Sequence, residues 1–472
     1  MLLPDDLLAG IEAEGPSHLP PFPPRRTGPV GIPELVRLYR RNIIGVFSAR
    51  DYERPLIRTN MLRLPVVTVN SPELVQEAFQ TKHETFQRKT PQMRHALSPL
   101  LGDGLFVSDG PVWRARRAAV TPILHAGRMR DFGPAITETI AEWRDHWAAL
   151  PKDADGAARI DALSEMAELT AEVISRAAFG RRLGRDFTGP LVRGFSAYQA
   201  HVDQVDLPSV LGLPDGFPRF QGLRARRALR QVHRVIDDVV ARILRGERDE
   251  TAVITRLLDF RDEAGRPLTP QAIRNEAIVI FMAGHETTAN TLAWAWHLLA
   301  HAPRVRAKLH AELDAALAGR APGIDDLRDL PYTRAVIEET LRLYPPVPIL
   351  GRQAMTDETL GGKPVAKGSV VMAVPFMLHR RPALWSMPDH FVPERFDPRI
   401  APRPGKYAYI PFAIGPRICP GLTFGLAEAM LALATLAQSF DLAPEPGHAV
   451  EAVCRLTLRP GDRLPMRLRA RA

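Results

Sequence analysis

The residues best suited to chemistry lie in a ten-residue stretch, 412–421, which reads Phe-Ala-Ile-Gly-Pro-Arg-Ile-Cys-Pro-Gly. It contains Cys419, one of two cysteines in 472 residues. The flanking Gly-Pro and Pro-Gly pairs predict a rigid loop, and the apolar run 422–440 predicts a buried helix after it. A thiol beside a helix N-terminus and near Arg417 is expected to have a lowered pKa, which favours the metal-binding thiolate.

A single thiolate restricts the metal groups that this loop can hold. Zinc sites and iron–sulfur clusters need about four protein ligands. A porphyrin supplies four nitrogens itself and leaves an axial position for the protein. Haem iron is therefore a candidate for Cys419, and the alternative is a plain buried cysteine, the usual fate of a free thiol.

The spacing within the stretch separates these alternatives. Phe412, Gly415, Arg417, Cys419 and Gly421 match the haem-binding signature Phe-x-x-Gly-x-Arg-x-Cys-x-Gly. The sequence therefore resembles the cytochromes P-450, the haem-thiolate monooxygenases. The resemblance implies haem b as the cofactor, Cys419 as the axial ligand of its iron, and the other positions as parts of the haem-binding loop.

A second unusual stretch interrupts a long apolar helix predicted over 269–302, about 33 residues or roughly 50 Å. Glycine costs about 1 kcal/mol in a helix interior, and a buried glutamate is costly too. The run Ala283, Gly284, His285, Glu286, Thr287 resembles the family's Ala-Gly-x-Glu-Thr motif. The match implies that the two small residues border the haem and that Glu286 and Thr287 deliver protons to dioxygen. His285, at the variable position, is interpreted as a surface or hydrogen-bonded histidine.

Three more residues match positions that contact the haem propionates in the family. Trp113 and Arg117 are four residues apart on a predicted helix and so share one face. They resemble the motif Trp-x-x-x-Arg, although without Cys419 they would read as a surface arginine beside a half-buried tryptophan. Arg352 matches a third propionate-contacting position.

A further pair resembles a structural motif. Glu339 and Arg342 match the family's Glu-x-x-Arg helix, and Arg395 occurs where the family completes a buried Glu–Arg–Arg cluster. By itself the pair would be an ordinary helix ion pair worth a few tenths of a kcal/mol. The resemblance assigns the cluster to holding the cysteine loop in place.

The substrate pocket is the least defined part of the prediction. Residues 86–107 predict a long loop with one helical turn, which in the family covers the substrate. Phe106, Val347 and Ile349 are the apolar candidates for the pocket and suggest a lipophilic small molecule. Two helices joined by a breakable loop at 206–218 resemble the family's mobile lid.

The elements that position these residues predict a mainly α fold with small β-sheets. We expect one domain, the cytochrome P-450 fold, with the haem between the long central helix and the cysteine loop. Residues 1–30 are expected to be an irregular lead-in and residues 31–472 the haem domain. Strands are expected within 56–69 and 354–377, and residues 453–469 predict a hairpin that turns at Pro460-Gly461.

Charge and composition narrow the partners and the compartment. The formal net charge is +9, from 62 lysines and arginines against 53 acidic residues. No nucleic-acid motif accompanies these spread basic residues, which favours an acidic protein partner or a solvated surface. Two cysteines fit a reducing compartment, and no apolar run reaches the roughly 18–20 residues of a membrane span. We therefore expect a cytoplasmic monomer with no transmembrane segment and no nucleic-acid partner.

The implied function is a monooxygenase that inserts one oxygen atom from dioxygen into a lipophilic molecule. Ferredoxin and ferredoxin reductase are the expected electron donors. Arg114 and Arg116 are each turned about 80° from the haem-facing direction of their helix, so at least one is expected to project beside the haem edge. With Arg128 and Arg130 following closely, this arrangement is expected to attract an acidic ferredoxin. The alternatives are a peroxide-driven or isomerase-type haem-thiolate enzyme and a non-catalytic haem-thiolate sensor.

Overall fold

The computed structural model of the chain describes residues 3–15, 17–28, 30–180, 185–202, 207–211, 213, 217, 222–454 and 456–471. In these residues helices predominate and the strands form small sheets, as predicted. The helices in chain order are α1 (Asp5–Ala13), α2 (Ile32–Arg41), α3 (Pro72–Gln76), α4 (Pro91–Leu101), α5 (Gly110–Val120), α6 (Met129–Ala148), α7 (Ala162–Phe179), α8 (Arg185–His201), α9 (Leu207–Val210), α10 (Leu223–Leu244), α11 (Val253–Asp259), α12 (Pro270–His301), α13 (Pro303–Leu317), α14 (Pro331–Leu343), α15 (Pro375–Leu378) and α16 (Leu422–Ser439).

Helix α12 is the central element. The Thr269 hydroxyl accepts a hydrogen bond from the backbone N–H of Ala272 at 3.1 Å, which caps the helix, and Pro303 follows its end. Its 32 residues span about 48 Å at 1.5 Å per residue. It packs on α7 so closely that a Cβ added to Gly284 would lie 2.6 Å from Cγ1 of Ile174. Glycine at 284 therefore permits this helix–helix contact.

The strands lie at the edges of the helical core. They are β1 (Leu56–Met61), β2 (Leu64–Val69), β3 (Ala158–Asp161), β4 (Leu350–Gln353), β5 (Glu358–Leu360), β6 (Lys363–Val365), β7 (Val370–Ala373), β8 (Phe440–Pro444), β9 (Ala452–Cys454), β10 (Leu458–Pro460) and β11 (Pro465–Ala470). The largest sheet has the order β1-β2-β7-β4, in which β2 and β7 are parallel and the other pairs antiparallel. It places β4, and with it Arg352, beside the cysteine loop.

The predicted C-terminal hairpin is wrong in its pairing. Strand β10 pairs with β9, whereas β11 pairs with β3 and β8. The turn at Pro460-Gly461 exists, but Met466 and Leu468 are buried on a sheet formed with distant segments. Burial of that apolar face selects the distant partners, which local alternation cannot reveal.

Two segments predicted as irregular contain helices. Within the lead-in 1–30, Ile11 of α1 and Leu3 just before the helix are buried against Val392 and Ala401, so tertiary contact stabilises a short helix. Within 86–107, α4 has 11 residues instead of one turn. Its N-terminus is capped by Thr90, whose hydroxyl accepts from the N–H of Met93 at 3.2 Å. A capping threonine followed by proline is a helix-start signal that the glycines at 102 and 104 obscured.

Six of the thirteen residues of the loop predicted at 206–218 lie outside the described residues, and the described part contains the short helix α9. Among those described, one helix, α16, is long and apolar enough to cross a membrane. It qualifies by length and composition alone, and 67% of that helix is buried inside the protein.

Candidate functional site

The loop that carries Cys419 is held in one conformation. The Cys419 N–H donates to the carbonyl of Phe412 at 2.9 Å, and the Ile418 N–H donates to the carbonyl of Gly415 at 3.0 Å. Gly415 has a φ of +73°, and a Cβ there would lie 2.0 Å from the carbonyl oxygen of Phe79. Only glycine fits that position, which explains the glycine in the signature.

The Cys419 thiol opens onto a space inside the protein. Its side chain is accessible, yet protein surrounds it closely enough for desolvation to dominate its ionisation. Burial raises the pKa of Cys419, while the Gly421 N–H and the charge of Arg117 oppose that rise. The predicted lowering of the thiol pKa is therefore wrong for the protein alone. A metal bound to a thiol deprotonates it outright, so this site fits a ligand that brings its own cation.

Four basic side chains lie beside the loop, and we call them the basic cluster: His83, Lys89, Arg352 and Arg417. Each is at most 9% exposed. Among the described residues no carboxylate comes within 4 Å of Lys89, Arg352 or Arg417. Burial, reinforced by the neighbouring arginine charges, lowers the pKa of Lys89 well below its usual value and that of Arg352 to about 9. Burial lowers the pKa of Arg417 to about 10.

The basic cluster fits an anionic group. The Nε of Arg417 is buried without a hydrogen-bond partner in the described structure. Its guanidinium lies 4.5 Å from the ring centroid of Trp113, and the Lys89 ammonium lies 4.5 Å from that of Phe106. Unpaired buried cations are costly unless a counter-charge reaches them. Haem carries two propionate carboxylates, so the cluster and the Cys419 thiol together suit it.

The other two predicted propionate contacts, Trp113 and Arg117, lie beside the basic cluster and the cysteine loop, where each contacts protein groups. Trp113 is buried between Arg417 and His83, whose ring centroid is 5.7 Å away. The Arg117 guanidinium donates to the carbonyl of Ile418 at 2.6 Å and so braces the cysteine loop itself. Sequence reasoning missed His83 and Lys89, which belong to no recognised motif.

In the middle of α12 the predicted small and polar residues interrupt the buried surface of the helix, although Gly284 itself packs against Ile174 of α7. Ala283 is exposed, and Gly284, Glu286 and Thr287 are partly exposed, on a helix that is otherwise mostly buried. The Thr287 hydroxyl donates to the carbonyl of Ala283 at 2.7 Å. Its proton is thus held locally, on the side of the helix where the buried surface is interrupted.

The carboxylate of Glu286 is held by other elements. One oxygen accepts from the Thr457 hydroxyl at 2.6 Å, and the other accepts from the side-chain amide of Gln199 at 2.5 Å. Burial raises the pKa of Glu286, and these two donors partly offset the rise. Gln199 lies on α8 and Thr457 lies just before β10, so Glu286 connects α12 to both. Within the described structure, no hydrogen bond joins its side chain to that of Thr287.

His285 is a core residue, not a surface one. Its ring stacks on Phe281 with centroids 5.0 Å apart and meets the edge of Phe195 at 5.6 Å. Burial lowers the pKa of His285 to about 4, so the ring is neutral at neutral pH. The surface interpretation of this position was wrong.

Glu339, Arg342 and Arg395 form one buried cluster, each 0% exposed. Two nitrogens of Arg342 donate to the Glu339 carboxylate at 2.7 and 2.8 Å, and Arg395 donates to it at 3.1 Å. The backbone N–H of Val392 adds a fourth bond at 2.8 Å. The acid therefore neutralises much of the charge of its two arginines inside the protein.

This Glu–Arg–Arg cluster reaches the cysteine loop through one histidine. Arg342 donates to the carbonyl of His379 at 2.7 Å, and the His379 ring accepts from the N–H of Ile410 at 2.9 Å. Ile410 lies two residues before Phe412, where the signature stretch begins. The cluster is thereby connected to the start of the loop that ends at Cys419.

The three candidate pocket residues pack against two different hydrophobic clusters. Phe106, Val347 and Ile349 are all partly buried. Phe106 and Ile349 pack on the main core, whereas Val347 packs on a second cluster that includes Ile410. Phe106 lies under the Lys89 ammonium, which places it next to the basic cluster.

Arg116 is not a surface residue. It is 9% exposed, donates to Asp103 at 3.0 Å and lies 3.4 Å from an oxygen of Glu276 on α12. The N–H of Leu105 donates to that same oxygen at 2.9 Å. Burial raises the pKa of Glu276 to about 7. Arg116 thus fastens residues 103–105 to α12, and only Arg114 of the predicted docking pair is exposed.

Comparison with known proteins places these features in a family. The family model for cytochrome P450 matches residues 34–460. Cyclooctatin synthase of Streptomyces melanosporofaciens is 34% identical over 413 residues, 86% of this chain and 86% of the relative. Leukotriene-B4 omega-hydroxylase 3 of Mus musculus is 29% identical over 418 residues, 83% of this chain and 79% of the relative. The crystal structure of the cytochrome P450DA heme domain aligns with a TM-score of 0.78 at 25% identity, over 96% of this chain and 98% of that one.

Proposed function

Because the chain belongs to the cytochrome P450 family of haem-containing oxygenases, we propose that it inserts one oxygen atom from dioxygen into a lipophilic small molecule. A hydroxylase among its relatives supports an oxidation of this class. The observation that carries the proposal is the meeting of the Cys419 loop with a buried, unneutralised basic cluster. That combination suits a group that carries a metal ion, which the Cys419 sulfur can ligate, and carboxylates, which can form ion pairs with the basic cluster.

The residues divide into those that hold the cofactor and those that support them. Cys419 would bind the iron, and Arg352, Arg417 and Lys89 would bind the propionates. The Gly415 turn and the Arg117 bond to Ile418 fix the sulfur in place. Haem bound in this way supplies dioxygen binding and oxidising power, with the thiolate donating electron density.

Glu286 and Thr287 move the protons. Thr287 presents a hydroxyl at the opening of α12, and its proton is held by the Ala283 carbonyl. Glu286 has a raised pKa and is therefore suited to carry a proton near neutral pH. Since the two side chains share no hydrogen bond, a proton passes between them through water or by a change of rotamer.

Electrons come from a separate ferredoxin and its reductase, and the protein acts as a cytoplasmic monomer. The net charge of +9 favours an acidic donor. With Arg116 buried, the exposed Arg114 on α5 and Arg128, which follows α5 and is also exposed, are the candidate contacts. Charge reversal at Arg114 is expected to slow reduction at low salt, while charge reversal at Arg116 is expected to damage the fold.

The decisive experiment concerns the axial ligand. Wild-type protein, reduced and exposed to carbon monoxide, is expected to show the red-shifted Soret band of thiolate-ligated haem. Cys419→Ala is expected to lose this band. Cys454→Ala is the matched control and is expected to keep it, because Cys454 is buried beside β10 and bonded through its N–H to Asn42. A band that survives in Cys419→Ala would refute the assignment.

A second experiment addresses the reaction. Thr287→Ala is expected to keep its haem and bind substrate while diverting electrons to peroxide, so that product formed per NAD(P)H falls several-fold. Thr291→Ala, one turn along α12, is the control, because its hydroxyl also bonds an i−4 carbonyl, that of Thr287, at 2.9 Å. Equal coupling in wild type and Thr287→Ala would contradict the proton role. Full activity with peroxide alone in both would favour the peroxide-driven alternative.

A further inference from the structure

Three histidines meet at the C-terminal end of α12. His297 and His301 lie one turn apart on the helix, and His18 reaches them from the lead-in segment. One ring nitrogen from each lies within 4.8 Å of those of the other two. The centroids of His297 and His301 are 4.5 Å apart, and His18 stacks on His301 at 5.1 Å. Histidines at i and i+4 share a helix face and commonly bind one metal ion together.

The hydrogen bonds leave ring nitrogens available in this group. Nδ1 of His301 lies 2.8 Å from the carbonyl oxygen of His297 and donates to it, which leaves a lone pair on Nε2. A second-sphere bond of this kind orients most metal-binding histidines. Nε2 of His297 and Nε2 of His18 are buried and have no hydrogen-bond partner in the described structure. His297 is only 5% exposed, and an unpartnered buried nitrogen is uncommon enough to require an explanation.

The three rings border a cavity with room for an ion and its remaining ligands. The cavity holds about 210 Å³, and Glu445 and His448 also line it. Burial lowers the pKa of His18 to about 4 and that of His297 to about 3. Both rings therefore keep their lone pairs at neutral pH, and metal binding there would not compete with protons.

We propose that His18, His297 and His301 form a binding site for a divalent zinc-type ion, with its fourth position open to the cavity. Zinc binds histidine nitrogen at about 2.0–2.1 Å in tetrahedral sites, which places ligand nitrogens about 3.3 Å apart. The ring nitrogens now lie up to 4.8 Å apart, and side-chain rotations that move each ring by about an ångström bring them to that distance. Water, or Glu445 or His448 from the cavity wall, completes the coordination.

This site is separate from the proposed oxygen chemistry. His297 lies ten residues after Thr287 on one straight helix, which is about 15 Å at 1.5 Å per residue. The carbonyl of His18 accepts from the N–H of Phe391 at 2.9 Å. Phe391 precedes Val392, which bonds Glu339. A metal here would fasten the lead-in segment to α12 and to the neighbourhood of the Glu–Arg–Arg cluster, so its effect is on stability.

The test uses the full-length, haem-loaded protein after removal of loosely bound metal with a chelator. Titration with Zn²⁺ by calorimetry is expected to show one ion per chain, and elemental analysis is expected to show it beside the iron. His297→Ala and His301→Ala are each expected to weaken binding by at least about 100-fold, since losing an outer-sphere partner alone costs about 10–100-fold. His310→Ala, on α13 outside the cluster, is the matched control and should bind as wild type.

Each outcome decides the proposal. It is overturned if wild type binds no zinc at micromolar concentration, or if the two variants bind it as wild type does. Should His297→Ala fail to fold, His301→Gln keeps the exposed position polar and is expected to lose both the zinc and the zinc-induced rise in Tm. The carbon-monoxide spectrum reports the haem site separately, so failure here is distinguishable from failure of the proposed oxygenase function.

Discussion

The protein buries two charged clusters near the cysteine loop, and they are built in opposite ways. In the Glu–Arg–Arg cluster, Glu339 accepts three arginine hydrogen bonds and one backbone hydrogen bond inside a fully buried site. In the basic cluster, Lys89, Arg352 and Arg417 lie together with no carboxylate within 4 Å among the described residues, and Asp109 acts on Arg417 only from a greater distance. In one cluster each arginine has a carboxylate partner within the chain and donates to carbonyl oxygens as well. The other cluster needs a ligand to supply the negative charge.

The difference separates structure from binding. A buried ion network whose charges are paired persists without a ligand, although removing one member is severe. A group of buried like charges raises the free energy of the folded chain until an anion arrives. Changing the paired cluster should therefore lower stability and haem content together, whereas changing the basic cluster should stabilise the haem-free protein and weaken haem binding.

The largest effect is expected for Glu339→Ala. The change leaves the guanidiniums of Arg342 and Arg395 buried without their carboxylate, a loss of about 3–5 kcal/mol. The soluble yield, the haem content and the urea concentration at the unfolding midpoint are all expected to fall. Glu338→Ala is the control, because its partners Arg334 and Arg403 are 41% and 60% exposed and can be hydrated. Equal losses in the two variants would show that the paired cluster has no special structural role.

An effect of opposite sign is expected for Lys89→Met. Burial and the charges of Arg352 and Arg417 disfavour the charged form of Lys89, so its replacement should stabilise the haem-free protein by about 1–2 kcal/mol and weaken haem retention about tenfold or more. Urea unfolding of the haem-free protein and haem transfer to apomyoglobin measure the two quantities. Lys82→Met is the control, since Lys82 pairs with Glu77 at 2.9 Å and Glu358 at 3.2 Å, and should gain nothing. A haem-free Lys89→Met protein less stable than wild type would contradict the comparison.

The smallest effect concerns pH. Burial depresses the pKa of His379, beside Arg342, and that of His83 in the basic cluster. The unfolded chain protonates both near pH 6.5, and the folded chain does not, so their stability contribution is present above pH 6.5 and declines below it. The urea midpoint should therefore fall between pH 7 and pH 5. Haem binding should reduce the contribution of His83 to this pH dependence, because a propionate beside it raises its pKa. The contribution of His379 should be unchanged.

Other titrating groups also affect how the urea midpoint changes between pH 7 and pH 5. Six more histidines have pKa values lowered by burial, and three buried acids have raised values and act in the opposite direction. They are His18, His233, His285, His297, His310 and His390 on one side, and Glu276, Glu286 and Glu428 on the other. Because histidines predominate, a midpoint that is flat or rises on acidification would contradict the prediction. His83→Gln isolates the contribution of the basic cluster.

The sequence predicted those features whose cause is local. The cysteine loop, the capped α12 and the Glu339–Arg342 pair each depend on residues a few positions apart, and all were located correctly. The failures are non-local. The fold brings Lys89 and His83 next to arginines that are distant in the sequence, so no local pattern predicts the basic cluster. Arg116 is buried because it pairs with Glu276, which lies on another helix.

The prediction of a lowered pKa for Cys419 failed for a related reason. The helix N-terminus and the arginines are visible in the sequence, but the depth of burial that outweighs them depends on how the whole chain packs. The pairing of β11 with β3 and β8 is set by the same long-range burial. Spacing locates functional groups, whereas their ionisation and partners depend on distant residues.

The contact between Gly284 and Ile174 has a consequence for protein engineering. Ala283 faces an opening, so larger or smaller residues at 283 can reshape the pocket without disturbing the helix pair. Position 284 offers no such freedom, because even one methyl group would collide with Ile174 at 2.6 Å. A library for altered substrate scope should therefore vary residue 283 alone, or vary residues 284 and 174 as a linked pair in which one gains the volume that the other loses.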